Sequence, residues 1–239
     1  MHVLRVILGY WYQNKILKED LRAILLNYHI PVKERIPSFY TIEEIKKIES
    51  SVDRSSAVGK RNYAMLLLAT RLGLRASDIS MLTFSNINWK SNEIILHQQK
   101  TGKKIILPLL TDVGNAIVEY IKYGRPISNS KRIFFTGTAP FIEASPKVVS
   151  GAINVLISNT GITLGNRHHG PHSMRHSLAT SMLQSGIPMS TISSTLGHEH
   201  TDTTMKYLRI DITSLMKCAL AVSLIDDSFY MQKGGIFYE

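Results

Sequence analysis

The residues with the clearest chemical potential lie in one stretch, 170 to 208, GPHSMRHSLATSMLQSGIPMSTISSTLGHEHTDTTMKYL. His172 and Arg175 stand three apart, a spacing that puts both side chains on one face of a helix. Leu196-Gly197-His198 follows, and Tyr207 comes nine residues after that histidine. Guanidinium and imidazole groups hold and neutralise phosphate oxygens, and a phenol beside them can become a nucleophile. Cutting a phosphodiester without a metal needs cations on the non-bridging oxygens and a nucleophile. It also needs an acid for the leaving oxygen and an acceptor for the nucleophile's proton. Together with Arg75 and Lys100 upstream, these residues supply types for all four.

The charge balance fits an anionic partner. Net charge is +10 and the pI is near 9.7, which points first to nucleic acid. From Ala144 through His198 there is no Asp or Glu, while the same window holds Arg167, His168, His169, His172, Arg175, His176 and His198. A surface that meets phosphates should lack carboxylates. Cys218 is the single cysteine, so no intrachain disulfide is expected, and a reducing cytosol is the natural compartment. No apolar run approaches the ~20 residues of a membrane span. The opening MHVLRVILGYW has no small-residue cleavage site after its apolar part, so no signal peptide is expected. The histidine clusters 168-169-172 and 198-200 invite a metal reading. Zinc, however, favours thiolates, or histidines with a carboxylate, and neither accompanies the first cluster; no metal is expected.

These side chains need a scaffold to bring them together. Residues 1 to 30 read as one or two short helices, on Val3, Leu4, Ile7, Leu8 and Trp11 and then on Ile16, Leu17, Leu21, Ile24 and Leu25. That segment is too short to bury its own apolar face. Residues 31 to 40, PVKERIPSFY, carry two prolines and read as a linker. Thr41 and Glu44 form a capping box, with Tyr40 and Ile45 as its hydrophobic staple, so a helix is expected from Ile42 to about Ser50. An apolar helix from about Gly59 to Leu72 is stopped by Gly73, and Ala76 to Leu82 fit a further helical stretch. Asn92 to His97 and Lys104 to Leu109 read as the strands of a hairpin, with Lys100 at or just before its Gly-containing turn. Thr111 or Asp112 is expected to cap a helix running to about Tyr123, and Ser145-Pro146 to start another that ends near Gly161. Further helices are expected over His172–Ser185, Met189–Leu196, Thr203–Leu208 and Ile212–Ile225. The fold class is mainly α with a small antiparallel β-hairpin or sheet, α+β.

The order Arg75, Lys100, His172, Arg175, His198, Tyr207 resembles, position by position, the active-site order of the tyrosine recombinases, the phage-integrase family. Gly73, Leu74, Arg75 and Asp78 match the first box, G-L-R-x-x-E/D. His172 and Arg175 match H-x-x-R, with Met174 where the family often has Leu. The resemblance covers roughly residues 37 to 225 and implies the catalytic-domain fold of that family. Residues 1 to 36 would then be a short helical remnant of an N-terminal DNA-binding domain plus linker, and 226 to 239 a tail. It further implies that Arg75 and Arg175 clamp the scissile phosphate and that Asp78 steadies the site. Lys100 would protonate the 5′ oxygen. His172 would accept a proton or donate to the phosphate, as His198 would donate, and Tyr207 would form a 3′-phosphotyrosyl link. No cofactor is implied. The implied partners are double-stranded DNA and copies of the same chain, as a tetramer on synapsed DNA, in the cytoplasm and associated with the nucleoid. Two competitors share some of these features. One is a type IB topoisomerase-like nicking and rejoining activity. The other is a helix-turn-helix DNA-binding protein, although Met189 to Leu196 offers it no basic or amide side chains.

Overall fold

Met1–Arg35 and Ile36–Glu239 form separate units, and the computed structural model describes residues 2–23, 38–163, 165 and 167–197. In the first unit, α1 (His2–Gln13) gives way to turns in which Lys15 takes left-handed angles, φ 59°. Of the second apolar stretch, from Ile16 to Leu25, the described part holds a single 3-10 turn, Leu21–Ala23. The Asp20 carboxylate accepts from the backbone N–H and the Nε of Arg22, at 3.1 and 2.8 Å. Such local side-chain bonds compete with the helical ladder.

The second unit starts as its sequence dictates. Helix α2 (Ile42–Ser50) opens on the capping box: Thr41 N–H donates to Glu44 Oε2 at 2.9 Å, and Glu44 N–H to Thr41 Oγ1 at 3.2 Å. The staple residues Tyr40 and Ile45 both pack on the core. Helix α3 (Ala57–Thr70) is buried without interruption from Ala64 to Thr70. A helix apolar all round belongs at the centre of a domain, and α2, α5, α6 and α7 pack around it. Ser56 caps α3 by accepting from Gly59 N–H at 3.0 Å, so it begins two residues earlier than its apolar pattern. It ends at Thr70, ahead of the glycine expected to stop it, and Gly73, at φ 62°, turns the chain into α4 (Ala76–Ser80).

The hairpin is part of a three-stranded antiparallel sheet, β1 (Ile87–Asn88), β2 (Glu93–His97) and β3 (Lys104–Pro108), in that spatial order. Pairing of Ile94 with Leu107 and of Leu96 with Ile105 sets the register and sends all four side chains inward. The first strand has two residues, too few to show a period-2 pattern. Helix α5 (Thr111–Tyr123) has Leu110 at its N-cap with no side-chain bond there, so neither Thr111 nor Asp112 caps it. Asp112 lies inside the first turn, where its carboxylate accepts from Val113 N–H at 2.8 Å and meets the positive end of the helix. Helix α6 (Pro146–Ser158) starts with Ser145 as cap and Pro146 at its first position. Helices α7 (Pro171–Gln184) and α8 (Met189–Leu196) share a small apolar cluster of their own, centred on Ala179, Ile192 and Leu196. The expected helices over Thr203–Leu208 and Ile212–Ile225 lie outside the described residues. No described helix is long and apolar enough to cross a membrane.

Candidate active site

Arg75 is the N-cap of α4, delivered by the Gly73 turn. Glycine is required there twice over: φ is positive, and a Cβ would stand 2.8 Å from Leu196 Cδ2 and 3.0 Å from Leu178 Cδ2. The turn therefore lets α7 and α8 close onto the start of α4. Arg75 Nη1 donates to Gln98 Oε1 at 2.7 Å and lies 4.0 Å from Asp78 Oδ2. The Asp78 side chain has no exposed surface. Its Oδ1 accepts from Gln99 N–H at 2.9 Å, while Oδ2 has no hydrogen-bond partner among the described residues. Asp78 thus ties α4 to the loop that carries Lys100 and places a carboxylate behind Arg75.

Gln98 is a buried neighbour of Arg75 that motif reading missed. It is only 1% exposed, and its amide joins three elements. Its Oε1 accepts from Arg75 and from Thr101 Oγ1 at 2.9 Å, and its Nε2 donates to the Leu196 carbonyl at 2.9 Å. Only this amide orientation satisfies both a guanidinium donor and a carbonyl acceptor. The signal for it was present: Ile94, Leu96 and Gln98 fall on the inward positions of one strand and its extension, and a polar residue continuing an inward face must have a polar partner inside.

Arg175 is 2% exposed. It donates from Nη1 to the Gly73 carbonyl at 2.8 Å and from Nη2 to the Leu196 carbonyl. A guanidinium therefore sits on the C-terminal carbonyl end of α8, where a cation is favoured. Just beyond, Gly197 adopts φ 63°, ψ 45°, and a Cβ there would be 2.6 Å from the Gln98 amide. Gly197→Ala combines left-handed strain with a clash against a buried, hydrogen-bonded amide. An expected loss of about 2–4 kcal/mol of stability follows, measurable as a lowered urea midpoint with unchanged m-value.

His172 occupies the first turn of α7 after Pro171, and its Nε2 lies 2.9 Å from His176 Nε2. The residue is exposed, yet the protein packed around its ring lowers its affinity for a proton. The nearby charges of Arg175, Arg75, Lys100 and His168 lower it further. The loop before α7 is stitched to the start of the domain: Arg167 makes a two-pronged bond to Glu44 at 2.8 and 2.9 Å and stacks on Tyr40. Tyr40 N–H donates to Ser177 Oγ at 2.7 Å, and His168 N–H to Ser38 Oγ at 2.9 Å. The bond to Arg167 also holds the Glu44 carboxyl below its ordinary range.

Arg75, His172 and Arg175 line one cleft of about 390 Å³, together with Ser77, Asn154 and His169. Asp78 stands behind Arg75. Lys100 is an exposed residue of the β2–β3 loop, close enough for its charge to act on His172. His198 and Tyr207 lie outside the described residues. Among the described residues no group of three or more His, Cys, Asp or Glu is gathered as metal ligands would be. Two guanidiniums and an imidazole that resists protonation, gathered around one cleft, are groups that can hold a tetrahedral oxyanion.

A sequence model described as the Phage integrase family matches residues 39–213. The chain belongs to the phage integrase family. Among its relatives, the Sinorhizobium fredii protein y4rA, named an integrase/recombinase, is 34% identical over 221 residues, 91% of this chain and 52% of that protein. The tyrosine recombinase XerC of Bacillus pumilus is 28% identical over 186 residues, 77% of this chain and 61% of the relative. The chain thus spans about half the length of y4rA. The family's fold is equally evident. A crystal structure of the XerH site-specific recombinase, bound to palindromic difH substrate in a post-cleavage complex, superimposes with a TM-score of 0.65 at 18% identity. The match covers 83% of this chain and 54% of that one.

Proposed function

We propose that this chain is the catalytic domain of a site-specific DNA recombinase that cleaves and rejoins strands through a 3′-phosphotyrosyl bond to Tyr207. The observation that carries the reading is the convergence of Arg75, Arg175 and His172 on one cleft, in a chain whose Ala144–His198 stretch has no carboxylate. Family membership and the XerH–DNA complex support it. In this reading Arg75 and Arg175 bind the non-bridging oxygens and stabilise the charge that grows on them as phosphorus becomes five-coordinate. The Tyr207 oxygen attacks phosphorus, its proton passing to His172, and the bond to the 5′ oxygen breaks as Lys100 protonates it. His198 donates a further hydrogen bond to the phosphate. The new ester keeps the energy of the broken one, so a 5′ hydroxyl reverses the step without ATP.

Residues 37–225 form the catalytic domain in this reading, 1–36 the helical remnant and linker, and 226–239 a tail. Double-stranded DNA is the substrate, and a tetramer of the chain on two synapsed sites is the working assembly. The test is incubation with a pool of nicked duplexes of randomised sequence in EDTA, followed by a denaturing gel. The expected result is a covalent protein–DNA band. No band, where a mobility shift shows DNA bound, would contradict the reading. Strands joined between two duplexes, beyond the relaxation of one supercoiled circle, would separate recombination from topoisomerase activity.

A further inference from the structure

We propose that His176 is a positioning residue of the cleavage reaction: it takes the Nε2–H of His172, fixing that ring's tautomer and assigning its bare Nδ1 to the substrate side. The inference rests on the reading above, that His172 serves the scissile phosphate and the tyrosine proton.

The two histidines stand at i and i+4 on α7, and side chains at that spacing meet on one helical face. Their Nε2 atoms are 2.9 Å apart, and the rings meet edge to face, with centroids 4.2 Å apart and planes at 70°. At that distance one nitrogen donates a hydrogen and the other accepts it, so the pair holds at most one proton between its facing nitrogens. No other described group bonds His172, which leaves Nδ1 as its free ring nitrogen. Arg175 on its own helix, Arg75 on α4, Lys100 on the β2–β3 loop and His168 on the loop before α7 act on His172 from the other elements around it. Burial of the ring first, and then those charges, keep its affinity for a second proton low. In the arrangement proposed, the shared hydrogen is on His172 Nε2, directed at His176, and the lone pair is on Nδ1. A neutral imidazole oriented this way accepts a proton at Nδ1 without rearranging. The opposite tautomer would offer N–H to the cleft and could only donate. A partner that selects between tautomers of a functional histidine is a common device, because neutral imidazole alone populates both.

The experiment has two arms. In the first, ¹⁵N-imidazole NMR of the chain without DNA reads the His172 tautomer. The expected result is a proton on Nε2 in the wild type and a mixture of tautomers in His176→Ala. A proton on Nδ1 in the wild type, or an unchanged pattern in the variant, would overturn the proposal. In the second, single-turnover cleavage of a nicked duplex is compared across His176→Ala, His176→Phe and His176→Gln. The Ala and Phe variants should cleave about 10- to 100-fold more slowly, with DNA binding and melting temperature near those of the wild type. His176→Gln places an amide oxygen where the imidazole nitrogen stood and should recover most of the rate. Equal rates in all three would overturn the positioning role. Absence of any covalent product from the wild type would instead count against the recombinase reading, and the NMR arm would still decide the role of His176.

Discussion

Arg175→Ala is expected to lower single-turnover cleavage by about 10²–10³-fold, the usual cost of removing one preorganised donor from an oxyanion site. DNA binding should fall far less, because many phosphate contacts spread along a duplex share that affinity. The guanidinium does two jobs. It bridges the carbonyls of Gly73 and Leu196, fixing the turn that delivers Arg75 and the end of α8, and it lines the cleft. Its removal should therefore also cost about 2–4 kcal/mol of stability, from lost charge-assisted bonds and the void left behind. Cleavage has to be compared at a temperature where both proteins are folded. Arg175→Lys keeps a charge but loses the planar fork, so it should fall between. The substitution to alanine has a second consequence with a definite sign. Desolvation and then the Arg175 charge are the leading reasons that His172 resists protonation. Without Arg175, its pKa should rise toward the ordinary histidine value, visible as an NMR titration midpoint moved to higher pH. A histidine held neutral also weakens the folded state as pH falls through that ordinary value, because the unfolded chain then binds the proton more readily. Removing Arg175 should shrink that acid-side loss.

Tyr207→Phe is expected to abolish covalent adduct formation while leaving DNA affinity within about twofold. The change removes one oxygen and little else, and no other group in the proposed reaction can take its place at phosphorus. A free phenol, with a pKa of ~10, is a weak nucleophile near neutrality. The reaction depends on the two guanidiniums stabilising charge on the phosphate as the phenol gives up its proton. Loss of binding in proportion to loss of cleavage would make Tyr207 a DNA contact instead of a nucleophile.

The parts of this structure written in local chemistry were legible in the chain. Thr41 and Glu44 fixed the start of α2 because a capping box closes within four residues. Ser145-Pro146 fixed the start of α6, and two Ile- and Leu-rich runs flanking a Gly-containing turn fixed two strands. The spacing of His172 and Arg175 put them on one helical face, but Arg75 joined them only through the resemblance to a family pattern; nothing local says that the three share a cleft. What could not be read is carried by bonds between distant segments. Tyr40 and Ser177 are 137 residues apart in sequence, and the Gln98 bond to Leu196 spans 98. A glutamine near a turn has many possible partners, and only the assembled fold shows that this one is buried between Arg75 and α8. The α5 start failed for a related reason. Thr111 and Asp112 are both good capping types, but the extended angles at Leu110, φ −64° and ψ 144°, put the cap on a residue whose side chain cannot accept a hydrogen bond.

The most direct test is to identify the residue that carries the DNA. Wild-type chain is trapped on a nicked duplex in EDTA, digested with protease and nuclease, and the modified peptide is sequenced by mass spectrometry. The expected result is a single nucleotide adduct on Tyr207, attached through a 3′ phosphate, and absent from Tyr207→Phe. An adduct on any other residue, a 5′ linkage, or bound DNA that is never covalently joined would contradict the proposed chemistry.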